Sequence, residues 1–287
     1  MRRIVFPAVL GLVLSGSHGS IALAEGGGAT RQQRRTVYVS VTQKDGTPVT
    51  DLTAAEFDVK TGGKPAEVAA AELTKTPMRL AMIVADGGGG GFQVALVTLV
   101  QRLQEVAEFS LVSVIAQPDK IVDFTTDLDK VVEGLKRVGP RGSTKSSGQV
   151  IEAVSDAVKD TAQTGKRPVV VVMTVGGSGA TDVRATDVRD AMRRNGTLLY
   201  AMSPSGGAGS AGQIDLVLND GSRETGGRHD QFSSQTMTTV AEQISQELLN
   251  QYQLSYAVPD GVKPGDRLEV TTKRKGVKVN APTRIGG

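Results

Sequence analysis

The spacing of apolar positions changes in a regular order along this chain, and each spacing predicts a different element. Val37, Val39 and Val41 alternate with Tyr38, Ser40 and Thr42, a period of two that predicts a half-buried strand from Thr36. Asp45-Gly46 signals a turn, Phe57-Asp58-Val59-Lys60 opens a second strand that closes at Gly62-Gly63, and Val68 to Leu73 reads as a third. This β segment is too short to bury a core of its own. The centre of the chain alternates in type. The run Arg79 to Ala85 is apolar after its first residue, as expected of a strand buried on both faces. Five glycines follow Asp86, and then Val94, Leu96, Val97, Val100, Leu103, Val106 and Ala107 recur at helical spacing. Leu111 to Ala116 and Lys120 to Thr125 read as strands about a turn at Gln117-Pro118-Asp119, followed by helices over Val131–Val138 and Val150–Ala162.

Pro168 to Met173 is another doubly buried strand. Val183 to Arg194 is a helix stopped by Asn195-Gly196, and Leu198 to Met202 is the next strand. Ser203 to Gly212 is rich in glycine and serine, Ile214 to Glu224 is a weak helix interrupted by Gly221, His229 begins a strand, and Val240 to Leu249 is a firm helix. Strand character returns at Gln251–Val258, Arg267–Thr272 and Val277–Asn280. Strands separated by helices predict a doubly wound α/β fold, with a mostly parallel six-stranded sheet covered on both faces. The terminal segments, each too small to fold alone, are expected to pair as an accessory β module over 36–73 and 250–283. The expected layout is a signal peptide over 1–24, a flexible lead-in over 25–35, an N-terminal β segment over 36–75, a central domain over 76–249 and a C-terminal β segment over 250–287.

The N-terminus supports export. Met1-Arg2-Arg3, an apolar run from Ile4 to Leu14 and Ala22-Leu23-Ala24 make up a secretory signal with its cleavage site after Ala24, and no later run is long enough for a membrane helix. Removing that segment, with Arg2 and Arg3, takes the formal charge from +3 to +1. The basic balance therefore does not point to nucleic acid, and without tryptophan there is no interleaving of basic and aromatic residues. Cysteine is absent, so a hydrophobic core and not disulfides must hold the fold.

An apolar strand, Asp86, a short glycine loop and an amphipathic helix resemble the opening of von Willebrand factor A domains. Three further segments resemble a narrower group, the VWFA-related family of secreted acidobacterial proteins. They are Asp45-Gly46-Thr47-Pro48-Val49-Thr50-Asp51-Leu52-Thr53 leading to Glu56-Phe57, then Glu224-Thr225-Gly226-Gly227-Arg228, and finally Gln251-Tyr252-Gln253-Leu254-Ser255-Tyr256 followed by Lys278-Val279. What the resemblance implies is a divalent-cation adhesion site built from Asp-x-Ser-x-Ser, a second-loop threonine and an aspartate after the fourth strand. Asp86 keeps the first place, but Gly88 and Gly90 stand at the serine positions, Thr144 at the threonine and Val175 at the aspartate. Glycine and valine offer no side-chain oxygen to a hard cation, so the expected site is vestigial and holds no divalent ion. Asp182, further along, is a potential replacement ligand.

Other chemistries fit less well. The Gly87–Gly91 amides before a helix could attract an anion or nucleotide, yet they lack the Lys-Ser/Thr of a P-loop and the register of a dinucleotide fingerprint, and Asp86 would repel phosphate. After the signal segment one histidine remains, His229, and no G-x-S-x-G elbow accompanies it, so hydrolase chemistry is not expected. A zinc site lacks ligands. The expected function is a secreted, non-enzymatic protein–protein interaction or scaffolding protein without cofactor or cation. The alternatives are an anion-binding module on the Gly87–Gly91 loop and a metal-dependent adhesion domain with relocated ligands.

Overall fold

The computed structural model describes residues 33–87, 89–115, 117–138, 149–162, 165–176, 181–205 and 212–286. The signal peptide and most of the lead-in lie outside them. In chain order the first half gives strands β1 (Arg34–Gln43), β2 (Phe57–Thr61), β3 (Lys64–Ala66), β4 (Val68–Leu73) and β5 (Met78–Ala85), helix α1 (Gln93–Leu103), β6 (Ala107–Val114), β7 (Pro118–Thr125), α2 (Leu128–Arg137) and α3 (Val150–Thr161). The second half gives β8 (Arg167–Thr174), α4 (Ala185–Asn195), β9 (Leu198–Pro204), α5 (Gln213–Asp215), a π-helical turn (Leu216–Gly221), α6 (Ser222–Thr225), β10 (His229–Phe232), α7 (Met237–Leu249), β11 (Tyr252–Ala257), β12 (Leu268–Thr272) and β13 (Val277–Asn280).

Six strands form the central sheet in the order β10-β9-β8-β5-β6-β7. Every neighbouring pair runs parallel except β6 with β7. The unbroken apolar runs explain the burial. All eight residues of β8 are buried, with Val169, Val171 and Met173 facing α1 and α7 and with Val170 and Val172 facing α3 and α4. The mostly parallel, two-faced α/β sheet is thus as expected.

Two smaller sheets join the termini. One has the order β13-β1-β11-β4 and the other β12-β2-β3. Val37 pairs with Leu254 and Val39 with Tyr252, so the alternating face read from the sequence packs into a third core with Phe57, Val59 and Leu268. Tyr252 Oη ties that core to the loop before β2, accepting from Leu52 N and donating to Val49 O, each at 2.9 Å across 200 and 203 positions. Phe57 meets the Tyr252 ring edge-on at 5.3 Å.

Some boundaries differ from expectation. β1 begins at Arg34, because Arg34 and Arg35, expected in the lead-in, pair with Ala257 and Tyr256. Helix α1 stops at Leu103, and Ala107, expected in it, already lies in β6 opposite Met78. Pro118, expected in a turn, starts β7. Gly221 does not interrupt its helix. A β-carbon there would come 2.8 Å from Met192 Cε, so glycine allows close packing against α4.

Candidate functional site

In the central sheet the strand order changes direction between β5 and β8. In doubly wound sheets, the crevice at the carboxyl ends of such a pair is where ligands bind. Asp86 directly follows β5 and Val175 directly follows β8, and Val175 N donates to Ala85 O at 3.1 Å, locking the two tips together. Three loops expected to share this rim therefore do leave the sheet on one side, after Ala85, Thr174 and Pro204.

Asp86 is half-buried. Its Oδ2 accepts from Gly91 N at 3.1 Å, and its backbone oxygen accepts from Gly89 N at 3.3 Å. The loop achieves this by adopting positive φ at Gly87 (66°) and Gly90 (70°), a conformation that glycine enters without strain. The Gly89 and Gly91 amides are thus turned onto Asp86 itself. Across the crevice Val175 is 40 % exposed, an apolar side chain at the position where the resemblance implies an aspartate. Thr174 is buried and its Oγ1 accepts from Gly176 N at 3.1 Å. Asp182 is exposed, ahead of α4. Gly88 and Thr144 lie outside the described residues. Among the described residues no three acidic, histidine or cysteine side chains gather as a metal cluster would require.

A second polar group on the same side was not legible in the sequence. β10 pairs with β9 so that Gln231 stands opposite Ser203 and His229 opposite Ala201. Ser203 Oγ lies 2.8 Å from His229 Nε2, and His229 Nδ1 lies 2.5 Å from Asn219 Oδ1. An amide oxygen can only accept, so Nδ1 carries the ring proton and Nε2 accepts from Ser203. Burial pushes the His229 imidazole below its ordinary range, against the nearby Asp230 and Asp215 carboxylates, which keeps the ring neutral. The chain is that of an activated serine, but the next residue is Pro204, which has no N–H to offer an oxyanion. Ser203 also sits in regular strand register, not on an exposed elbow. What the group does here is join β9, β10 and the π-helical turn.

The segment Glu224-Thr225-Gly226-Gly227 is a structural joint. Thr225 Oγ1 accepts from Leu199 N at 3.1 Å, and Glu224 O accepts from Thr283 N at 3.1 Å, which brings the C-terminal segment onto the central sheet. Gly226 has φ 87°, and a β-carbon there would meet Pro282 N at 2.8 Å. Burial opposes ionisation of Glu224, yet Arg189, with Arg193 and Arg284, holds its carboxyl below the usual range. Nearby, Arg228 pairs with the buried Glu247 of α7, whose other oxygen lies 3.4 Å from the Tyr200 hydroxyl.

No sequence-family model and no curated protein matches the chain. Solved structures similar to it include the conserved hypothetical protein BatB from Bacteroides thetaiotaomicron, at 13 % identity, covering 60 % of this chain and 98 % of that one with a TM-score of 0.45. A von Willebrand factor type A protein from Catenulispora acidiphila is 9 % identical over 90 % of this chain and 75 % of its own, also at 0.45. The von Willebrand factor domain of a type V pilus tip protein from Porphyromonas gingivalis is 9 % identical over 61 % and 96 %, again at 0.45. These likenesses are weak by both measures. Strand order and direction define a doubly wound α/β protein.

Proposed function

We propose that this is an exported, non-enzymatic binding protein of von Willebrand factor A type that takes a protein partner on the rim around Asp86 and Val175 without a metal ion. The reading rests on one hydrogen bond above all, from Gly91 N to Asp86 Oδ2 at 3.1 Å. A divalent cation needs several oxygen ligands, and among the described residues Asp86 is the one carboxylate that directly follows β5 or β8, with one of its oxygens tied to its own loop. The vestigial positions are Asp86, Gly88, Gly90, Thr144 and Val175. Exposed Val175 beside a loop of bare backbone suits contact by shape and peptide groups, as in the apolar centre of a protein interface. In this reading residues 76–249 carry the binding surface, the segments 36–75 and 250–287 buttress it, and residues 1–24 direct export and are cleaved after Ala24. No helix among the described residues is long and apolar enough to cross a membrane.

The test is calorimetric titration of the protein with MgCl₂, MnCl₂ and CaCl₂, alongside capture of partners from a cell-envelope extract. Only heats of dilution are expected, with capture that survives EDTA and is lost in Val175→Lys. Saturable cation uptake that disappears in Asp86→Ala would replace this reading with metal-dependent adhesion.

A further inference from the structure

On the opposite side of the molecule from the rim loops, where α4 ends and β9 begins, a cavity of about 370 Å³ lies between the central sheet and strands β1 and β11. A second cavity, of about 610 Å³ and open to solvent, runs beside it along β12. Glu224, Pro282 and Arg284 line both, so the two adjoin as one cleft. Its charge is one-sided. Arg35, Arg193 and Arg194 line the first part, Arg223 and Arg267 the second, and Arg284 both, against Glu224 and Glu269. That is an excess of four positive charges along one cleft, in a chain whose whole formal charge is +3. Three other cavities on the surface mix the two signs to within a single charge.

Four of these arginines have a carboxylate at hand. Arg193 has Asp190, Arg223 has Asp220 at 2.6 Å, Arg267 has Glu269 at 2.8 Å and Arg284 has Glu224 at 3.7 Å. Glu224 is also shared with Arg189 and Arg193, so its one charge answers three guanidinium groups. Arg35, half-buried, donates to Gly286 O, and neither it nor Arg194 has a carboxylate partner among the described residues. Arg194 is exposed at the end of α4, where a basic side chain can serve to cap a helix. The last carbonyls of α4 do not need it, since Met192 O accepts from Thr197 N and Arg193 O from Gly196 N. The cleft therefore holds more positive charge than the fold itself uses.

The kind of wall selects the partner. Every cation lining it is an arginine, whose planar fork matches the paired oxygens of a carboxylate. Between the charges lie half-buried Val37, Val270, Val279 and Pro282, which can receive apolar side chains. The surface is concave, and none of the exposed large apolar side chains at Leu73, Val94, Val132, Val175 and Leu216 lines it, so it lacks the apolar anchors of a membrane-binding face. Its aromatic residues, Tyr38 and Tyr256, are half-buried and buried, which leaves no exposed ring for a nucleic-acid base to stack on. We propose that this cleft binds an acidic segment of a partner protein, with carboxylates on Arg35, Arg194 and Arg284 and apolar side chains against Val37 and Val279. The proposal is independent of any partner at the rim.

Fluorescence anisotropy of the full chain with a labelled peptide of alternating glutamate and leucine tests it. The same peptide with glutamine for glutamate is the control, and single-stranded DNA and phosphatidylglycerol vesicles are the competing probes. Saturable binding of the glutamate peptide is expected, weakening as sodium chloride rises, with none of the glutamine peptide. Arg194→Glu should weaken that binding about tenfold at an unchanged melting midpoint, because the side chain is exposed and has no ion pair among the described residues. Lys136→Glu makes the same change of charge on α2, where it lines neither cavity, and should weaken binding less than about twofold. The proposal is overturned if the glutamate peptide does not bind, if the glutamine peptide binds as well, or if Lys136→Glu costs as much affinity as Arg194→Glu. Tighter binding of DNA or vesicles than of the peptide would overturn it too.

Discussion

Gly227 lies against Leu199 so closely that a β-carbon on the glycine would fall 1.9 Å from the Leu199 carbonyl oxygen. The obstacle is backbone of the central sheet, which cannot swing aside as a side chain would. Gly227→Ala should therefore destabilise the protein by about 3 kcal/mol or more, at the upper end of what overpacking costs. Urea denaturation measures it, and a loss under about 0.5 kcal/mol, the range of a neutral surface change, would mean the two segments are not in contact.

The Asp86 carboxylate is expected to act as a loop clasp. Asp86→Ala removes the acceptor for Gly91 N and should cost about 1.5–3 kcal/mol, the range for a hydrogen bond to a charged group. Amide exchange of Gly91 should quicken in the same variant. Unchanged exchange there would show that the carboxylate points elsewhere in solution.

Acid should weaken the fold through His229 once the pH falls below about 6.5. Burial depresses its folded pKa below the ordinary 6.5, so between the two values the unfolded chain binds the extra proton. Stability from this group is full above about pH 6.5 and declines as the pH falls toward the depressed value. His229→Gln should flatten the urea midpoint across that interval. Parallel profiles for parent and variant would contradict a buried neutral ring.

Truncation tests the accessory sheets. β11 lies between β1 and β4, so deleting residues 250–287 removes the strand that joins them. Limited proteolysis should then cut freely within 34–73. Protection equal to that of the intact chain would refute the pairing.

The central layout was readable because its strands are buried on both faces. Leu80 to Ala85 and Val169 to Met173 are continuous apolar runs that no surface segment would carry. The end of α1 was not, since Val106 and Ala107 continue the helical spacing and no glycine or proline marks the turn at Gln104–Val106. Gly221 misled for a related reason, as its value is in close packing and not in breaking a helix. The rim position of Asp86 and Val175 followed from strand ends. The Ser203–His229–Asn219 chain left no local trace, because strand pairing and a helical turn distant in sequence bring the three side chains together.

The Tyr252 bonds to Val49 and Leu52 also set a timetable. A chain delivered from its N-terminus exposes β1 and β4 as bare strand edges until a segment some two hundred positions later arrives to sit between them. During synthesis those edges are open to pairing with other chains. The protein thus depends, for that interval, on whatever keeps its early strands apart, and slowed synthesis should show as aggregates seeded by residues 34–73.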